Sequence, residues 1–227
     1  MLQVALQRRI VCCSNSKVLY LLASSALATA LDAPPLPGWN GTFPCSGPRY
    51  DGPRSGSVFC FCQLAQNPAC NHEPCTCPEG CDSLVKHAGS VTFKNFDSAS
   101  GCANTEALLT IPRAYFSGMS DLKNHCPRTF VYVLAALFRD GFTAYQSLVR
   151  PSAVRQCIHR EFAVSVRWLH LHTVCKGGSI DGMPNPAVAI CGTMNNANDA
   201  LSLAKQFDVQ LHNHTQLQVP GEATFLV

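Results

Sequence analysis

The sequence predicts an α+β fold: a disulfide-rich, loop-dominated N-terminal region packed on a small antiparallel sheet with short helices. Three observations predict it. Stretches of period 2 and stretches of helical period follow one another in mixed order along the chain. Fourteen cysteines occur in 227 residues, twelve of them beyond residue 30. Proline and glycine concentrate between residues 32 and 57, where Pro34, Pro35, Pro37, Pro44, Pro48 and Pro53 exclude long helices.

The chain opens as a targeting segment. Residues 1–17 carry Arg8, Arg9 and Lys17 with no acid, and Val18 to Ala30 is apolar apart from Tyr20, Ser24, Ser25 and Thr29. Ala28-Thr29-Ala30 then supplies small residues at a cleavage site ahead of Leu31, so residues 1–30 read as a signal peptide that is removed. A mitochondrial presequence is the alternative, because the stretch is basic and acid-free. An anchor is disfavoured, since about thirteen apolar residues fall short of a ~30 Å hydrocarbon core. Removal leaves fourteen basic against fourteen acidic residues. A charge near zero argues against nucleic acid, which selects concentrated positive charge. No transmembrane span is expected in the mature chain.

Two regions follow the leader. Residues 31–103 form a cysteine-rich, Pro/Gly-rich region, in which Cys60, Cys62, Cys70, Cys75, Cys77 and Cys81 crowd into one short stretch with few aliphatic neighbours. Cross-links would replace the missing burial there, each worth on the order of 2–4 kcal/mol. Near its end, Ser90 to Phe96 alternates like a strand, with Val91, Phe93 and Asn95 facing one way. Residues 104–227 form a more regular α+β body, counted either separately or as one domain with the preceding region, and holding Cys126, Cys157, Cys175 and Cys191.

In the body, Pro127 opens a helix that Thr129 to Arg139 continues and Gly141 ends. Thr143 to Val149 is a second short helix. Ser152 caps a third over Ala153 to Arg160, with Cys157 on its inner side. From Phe162 to Val174 the period changes to 2, putting Trp168, His170, His172 and Val174 on one strand face. Asn198 or Ser202 starts a helix through Gln206, and Phe207 to Leu211 reads as another strand.

Twelve cysteines beyond the leader, an even number, suit a disulfide framework in an exported protein: Cys45, Cys60, Cys62, Cys70, Cys75, Cys77, Cys81, Cys102, Cys126, Cys157, Cys175 and Cys191. Zinc on Cys60, Cys62, Cys70, His72, Cys75, Cys77 and Cys81 is the competing reading. It is the weaker one, because zinc ligand pairs are usually separated by two to four residues rather than one. His170-Leu171-His172 and His212-Asn213-His214 are candidate metal ligands, since a period-2 pair on a strand points both imidazoles one way. Asn40 and Asn213 each begin a glycosylation sequon. Trp39, Phe43 and Tyr50 could stack on carbohydrate or another protein.

No nucleophile elbow, zinc helix, phosphate loop or dinucleotide fingerprint occurs. Cys126 beside His125, and Glu73, Glu79, Glu106 and Glu161, have no spacing that fixes catalytic geometry. The catalytic residues are therefore unassigned, no cofactor is assigned, and the balance favours a non-enzyme. The expected protein is a secreted or extracellular binding or structural component of an assembly, with protein or carbohydrate as partner and no oligomeric state assigned. The alternatives are an extracellular metal-dependent enzyme using the His-x-His pairs and a mitochondrial membrane-complex accessory subunit.

Overall fold

A computed structural model describes residues 45–70, 85–95, 101–102, 105–149, 153–178, 180 and 186–215, with backbone alone at 101–102, 105–106 and 213–215. All of them belong to the unit Pro35–Val227. Chain order gives α1 (Gly56–Leu64), β1 (Val85–Lys86), β2 (Ser90–Lys94), β3 (Gly101–Cys102), β4 (Thr105–Glu106), β5 (Leu108–Pro112), α2 (Met119–His125) and α3 (Phe130–Val149). β6 (Val154–His159), β7 (Leu171–Cys175), β8 (Ala189–Met194) and α4 (Ala200–Thr215) follow. Six strands make one sheet in the order β1-β2-β5-β7-β6-β8, every pairing antiparallel, while β3 and β4 pair separately. The α+β class with an antiparallel sheet, helices and disulfides is as expected.

Strand alternation divides the residues between two faces. Leu108, Val154, Ile158, Leu171, Ile190 and Met194 meet α3 and α4 in the largest apolar cluster. Phe138 of α3 and Phe207 of α4 pack edge to face at 4.8 Å. The other face receives α1: Phe59, Phe61 and Leu64 join Val91, Phe93, Leu109, Ile111 and Trp168.

Several local expectations are corrected. Residues 154–159 form a central strand, not a helix: Val154, Gln156 and Ile158 alternate with Arg155, Cys157 and His159 between β7 and β8. Ladder partners on both sides outweigh the Ser152 capping signal. α3 runs through Gly141 to Val149, merging the two expected helices. A Cβ at Gly141 would lie 2.7 Å from Thr173 Oγ1 and 3.0 Å from Thr110 Oγ1, so glycine there permits close helix-sheet approach. Its helix-propensity cost of about 1 kcal/mol is small beside the burial gained.

The long strand from Phe162 shrinks to Leu171–Cys175, because a 3-10 turn occupies Glu161–Ala163 and Phe162 is 67% exposed. Residues 207–211 are helical, since Ala200, Leu203, Ala204, Phe207 and Leu211 recur at helical spacing along one buried stripe. Asn196 and Asp199 form the capping box that leads into this helix. The cysteine cluster is not devoid of a core: its first part is α1, docked on the sheet.

Disulfides join Cys45 to Cys126, Cys62 to Cys70 and Cys157 to Cys191, and Cys60 and Cys175 are also disulfide-bonded. Cys75, Cys77 and Cys81 lie outside the described residues, as does the side chain of Cys102. No helix among the described residues is long and apolar enough to cross a membrane.

Candidate metal centre

The α1 side of the sheet carries three histidines. Cys157 of β6 pairs with His172 of β7. The same antiparallel register, continued by two residues, sets His159 opposite His170, and period 2 turns all three imidazoles to one face. Their ring centroids lie 5.0 Å (His159 to His172), 5.0 Å (His170 to His172) and 5.8 Å (His159 to His170) apart. One ligand nitrogen from each falls within 4.8 Å of the others. Zinc-nitrogen bonds of about 2.0–2.1 Å require separations near 3.3 Å, so small ring movements would close the trio on one ion.

The hydrogen bonding suits ligation. His170 Nδ1 lies 2.6 Å from the Trp168 carbonyl, which only accepts, so the proton belongs on Nδ1 and Nε2 faces the cluster. That carbonyl is itself held: Trp168 Nε1 donates to the Pro112 carbonyl at 3.1 Å, and Leu169 N donates to the Phe116 carbonyl at 2.7 Å. Both nitrogens of His172 are buried without a hydrogen-bond partner. Orphaned polar atoms at such depth call for a ligand or water.

Burial dominates the electrostatics. It pushes the His170 pKa down to about 4, against the opposing bond to Trp168 and with the His159 charge adding to the shift. His172 is driven well below the ordinary value by burial, then by His170 and His159. Both rings are therefore neutral at pH 7, the protonation state that binds metal.

The walls are apolar or cross-linked. The Phe61 ring stands edge-on to His170 at 5.5 Å. The Cys157–Cys191 disulfide adjoins His172 through the β6–β7 pairing. Against His159 and His170 lies a cavity of about 10 Å³, lined in part by Ser117, Gly118 and Glu161, about the space one water needs. Glu161 is held beside it by accepting from Ser120 N at 2.7 Å. Gly118 makes room, since a Cβ there would stand 2.9 Å from Glu161 Cγ.

Of the histidines singled out by spacing, His212 does not join His170 and His172. His170 and His172 converge with His159, which the misread helix had concealed. His212 lies on α4, across the sheet, where its Nδ1 is 2.8 Å from the Asp208 carbonyl and its Nε2 is 2.8 Å from Lys123 Nζ. The side chains of His214 and Asn213 are outside the described residues, as are Trp39, Phe43 and Asn40. Tyr50 is buried against Tyr115 and Trp168 instead of projecting from a loop. Cys126 is disulfide-bonded to Cys45 and is no free nucleophile.

The signal for His159 was available. Cys157-Ile158-His159 repeats the alternation of His170-Leu171-His172, and reading residues 154–159 as a strand would have set the two motifs side by side.

Fold and site together define a disulfide-bonded α+β domain with a buried three-histidine cluster able to coordinate a metal ion. This convergence overturns the expectation of a non-enzyme, because three clustered imidazoles with room for a water are the kind of set that catalytic metal sites use. No protein-family model matches the chain, and neither a curated protein nor a solved structure matches it.

Proposed function

We propose that this chain is a metal-dependent enzyme of an oxidising, extracytosolic compartment, with His159, His170 and His172 holding zinc or copper. One observation carries the reading: three imidazoles converge, and one of them, the buried His172, has both nitrogens unsatisfied. Among the described residues no fourth His, Cys, Asp or Glu joins the group. A structural zinc site is usually closed by four protein ligands, whereas a catalytic one keeps a position open. The nearby sulfurs of Cys157 and Cys191 are bonded to each other and supply no thiolate.

Bound there, the ion would act as a Lewis acid and lower the pKa of a coordinated water, which suits hydrolysis or hydration of a small electrophile. The protein's own part is to orient His170 through the Trp168 carbonyl, keep His170 and His172 neutral by burial and limit water to the small cavity beside Glu161. Disulfides and the leader support export; a mature chain starting at Leu31 and sugar on Asn40 or Asn213 would accord with it. Mitochondrial import remains the competing destination.

Elemental analysis of native protein, purified without chelators, tests the metal. One zinc or copper per chain is expected, lost in His172→Ala. Absence of stoichiometric metal, together with failure of zinc, copper and cobalt(II) to bind the apoprotein, rejects the reading. Hydrolysis of an activated small ester that disappears on chelation and returns with metal would then test the catalytic half.

A further inference from the structure

A second concave feature lies apart from the histidine trio. It is a cleft of about 530 Å³ between residues 46–50, 66–69 and 113–115, within the size range of ligand sites. Each wall is anchored. The Cys45–Cys126 disulfide adjoins the first, and Cys62–Cys70 closes the second. Arg113 N donates to the Gly89 carbonyl, which fixes the third. The first wall lies directly on the third, since a Cβ on Gly47 would fall 1.9 Å from the Tyr115 carbonyl oxygen.

The polar groups of the cleft are placed with some strain. Gln66 has φ 54°, a left-handed conformation unusual for a non-glycine residue. Its Oε1 accepts from Arg113 Nη1 at 2.8 Å, while Arg113 Nε donates to the His87 carbonyl at 3.1 Å. Asn67 Nδ2 reaches the Arg113 carbonyl at 3.2 Å. Two donors of Arg113 Nη2 are left to offer. Arg49 is exposed and makes no polar contact with another described residue. Tyr50 and Tyr115 meet edge to face at 5.1 Å, and both rest on Trp168, at 5.5 and 5.0 Å. No carboxylate is among the lining residues. Asp51 lies beside the two phenols and helps raise their pKa values.

We propose that this cleft binds the carboxylate-bearing pyranose of an acidic oligosaccharide. Arg49 and Arg113 take the carboxylate, the Gln66 and Asn67 carboxamides take hydroxyls, and the half-buried Tyr115 ring meets the sugar's apolar face. A guanidinium fork matches a planar carboxylate in two parallel hydrogen bonds. Concavity favours a sugar over a protein partner, which would need a broad patch of about 800 Å² on each side. The cleft opens to solvent, so further sugar units can extend beyond it. It is separate from the metal reading.

In a Trp39→Phe background, Trp168 fluorescence reports on this site through the two tyrosines it touches. The native protein is titrated with trigalacturonate, with a neutral galactose trimer, with a sulfated trimer of equal length and with a Glu-rich peptide. Saturable binding of the uronate is expected, at least tenfold tighter than the neutral and sulfated trimers and the peptide. Arg49→Ala should weaken it at least tenfold at unchanged melting temperature, and Arg113→Lys should weaken it while keeping the charge. His172→Ala should bind as the parent does. The proposal is overturned if no oligosaccharide binds saturably, if any competitor matches the uronate, or if Arg49→Ala binds like the parent. Loss in His172→Ala with Arg49→Ala unaffected would put the sugar at the metal centre and overturn it as well.

Discussion

The two faces of the central sheet are built by different means. Under α3 and α4, large apolar side chains interdigitate, and the buried polar groups mostly find partners. Thr92 and Thr110 share a hydrogen bond at 2.9 Å, Gln156 Nε2 donates to the Phe138 carbonyl at 2.8 Å, and Ser90 donates to Asp140 at 2.7 Å. On the opposite face, α1 covers one end and the Cys157–Cys191 disulfide braces the other, with the three histidines between them. Helix packing has stabilised one face by burial, while the other is held by cross-links and retains unsatisfied imidazole nitrogens. A face stabilised covalently can tolerate polar atoms that a densely packed one would exclude.

The largest test of this contrast is Phe138→Ala. Removing a ring at 0% exposure beneath α4 should cost about 3–5 kcal/mol. Metal stoichiometry at low temperature should stay at one per chain, and denaturant unfolding with elemental analysis measures both. Equal damage to stability and metal content would show that the faces are not separable.

Replacing both Cys157 and Cys191 with alanine opens a cross-link between positions 34 residues apart. Loop entropy predicts a loss of about 4 kcal/mol. It should also weaken metal binding, because His159 and His172 sit on the strands next to the bond. Retention of full affinity and stability would remove the bracing role.

The pH dependence of the metal-free protein follows from burial. Unfolded histidine takes up a proton near pH 6.5, but His170 in the fold resists until about 4. The unfolded state binds more protons across that window, so the His170 contribution to stability falls as pH drops from about 6.5 to 4 and levels off below, with the depressed His172 acting in the same direction. A depression of roughly 2.5 units makes the His170 contribution on the order of 3 kcal/mol. Asp140, whose carboxyl is raised by burial, acts with the opposite sign. Subtracting the unfolding profile of His170→Gln isolates the histidine, and parallel profiles would contradict the assignment.

His212→Ala should have the smallest effect, since His212 is exposed on α4 and has no place in the trio. Stability should change by less than about 0.5 kcal/mol, with metal affinity unchanged by titration calorimetry. A tenfold loss of affinity would mean that the two His-x-His pairs cooperate after all.

Much of the fold was legible. The strand at Ser90, the helix after Pro127, the α+β mixture and the disulfide framework all follow from local pattern and cysteine placement. The errors fall where one residue supports two readings. Ser152 before an apolar stretch is a fair helix start, yet β7 and β8 offered backbone partners to both edges of residues 154–159, and the ladder prevailed. Gly141 looked like a helix stop because its role is tertiary, to let α3 approach the threonines beneath it. Two of the three site residues, His170 and His172, were visible as spacing, and His159 was lost with the strand that carries it.

Amino-acid order thus determined which side chains share a local face, where helices and strands are favoured, and how many cross-links are available. Those properties depend on periods of 2 and 3.6 and on counting. Only tertiary structure decided which His-x-His pair would acquire a third imidazole, because that depends on the register between β6 and β7, strands separated by eleven residues that include a 3-10 turn. The same folding step set burial, and burial is what keeps His170 and His172 neutral and ready to bind a metal.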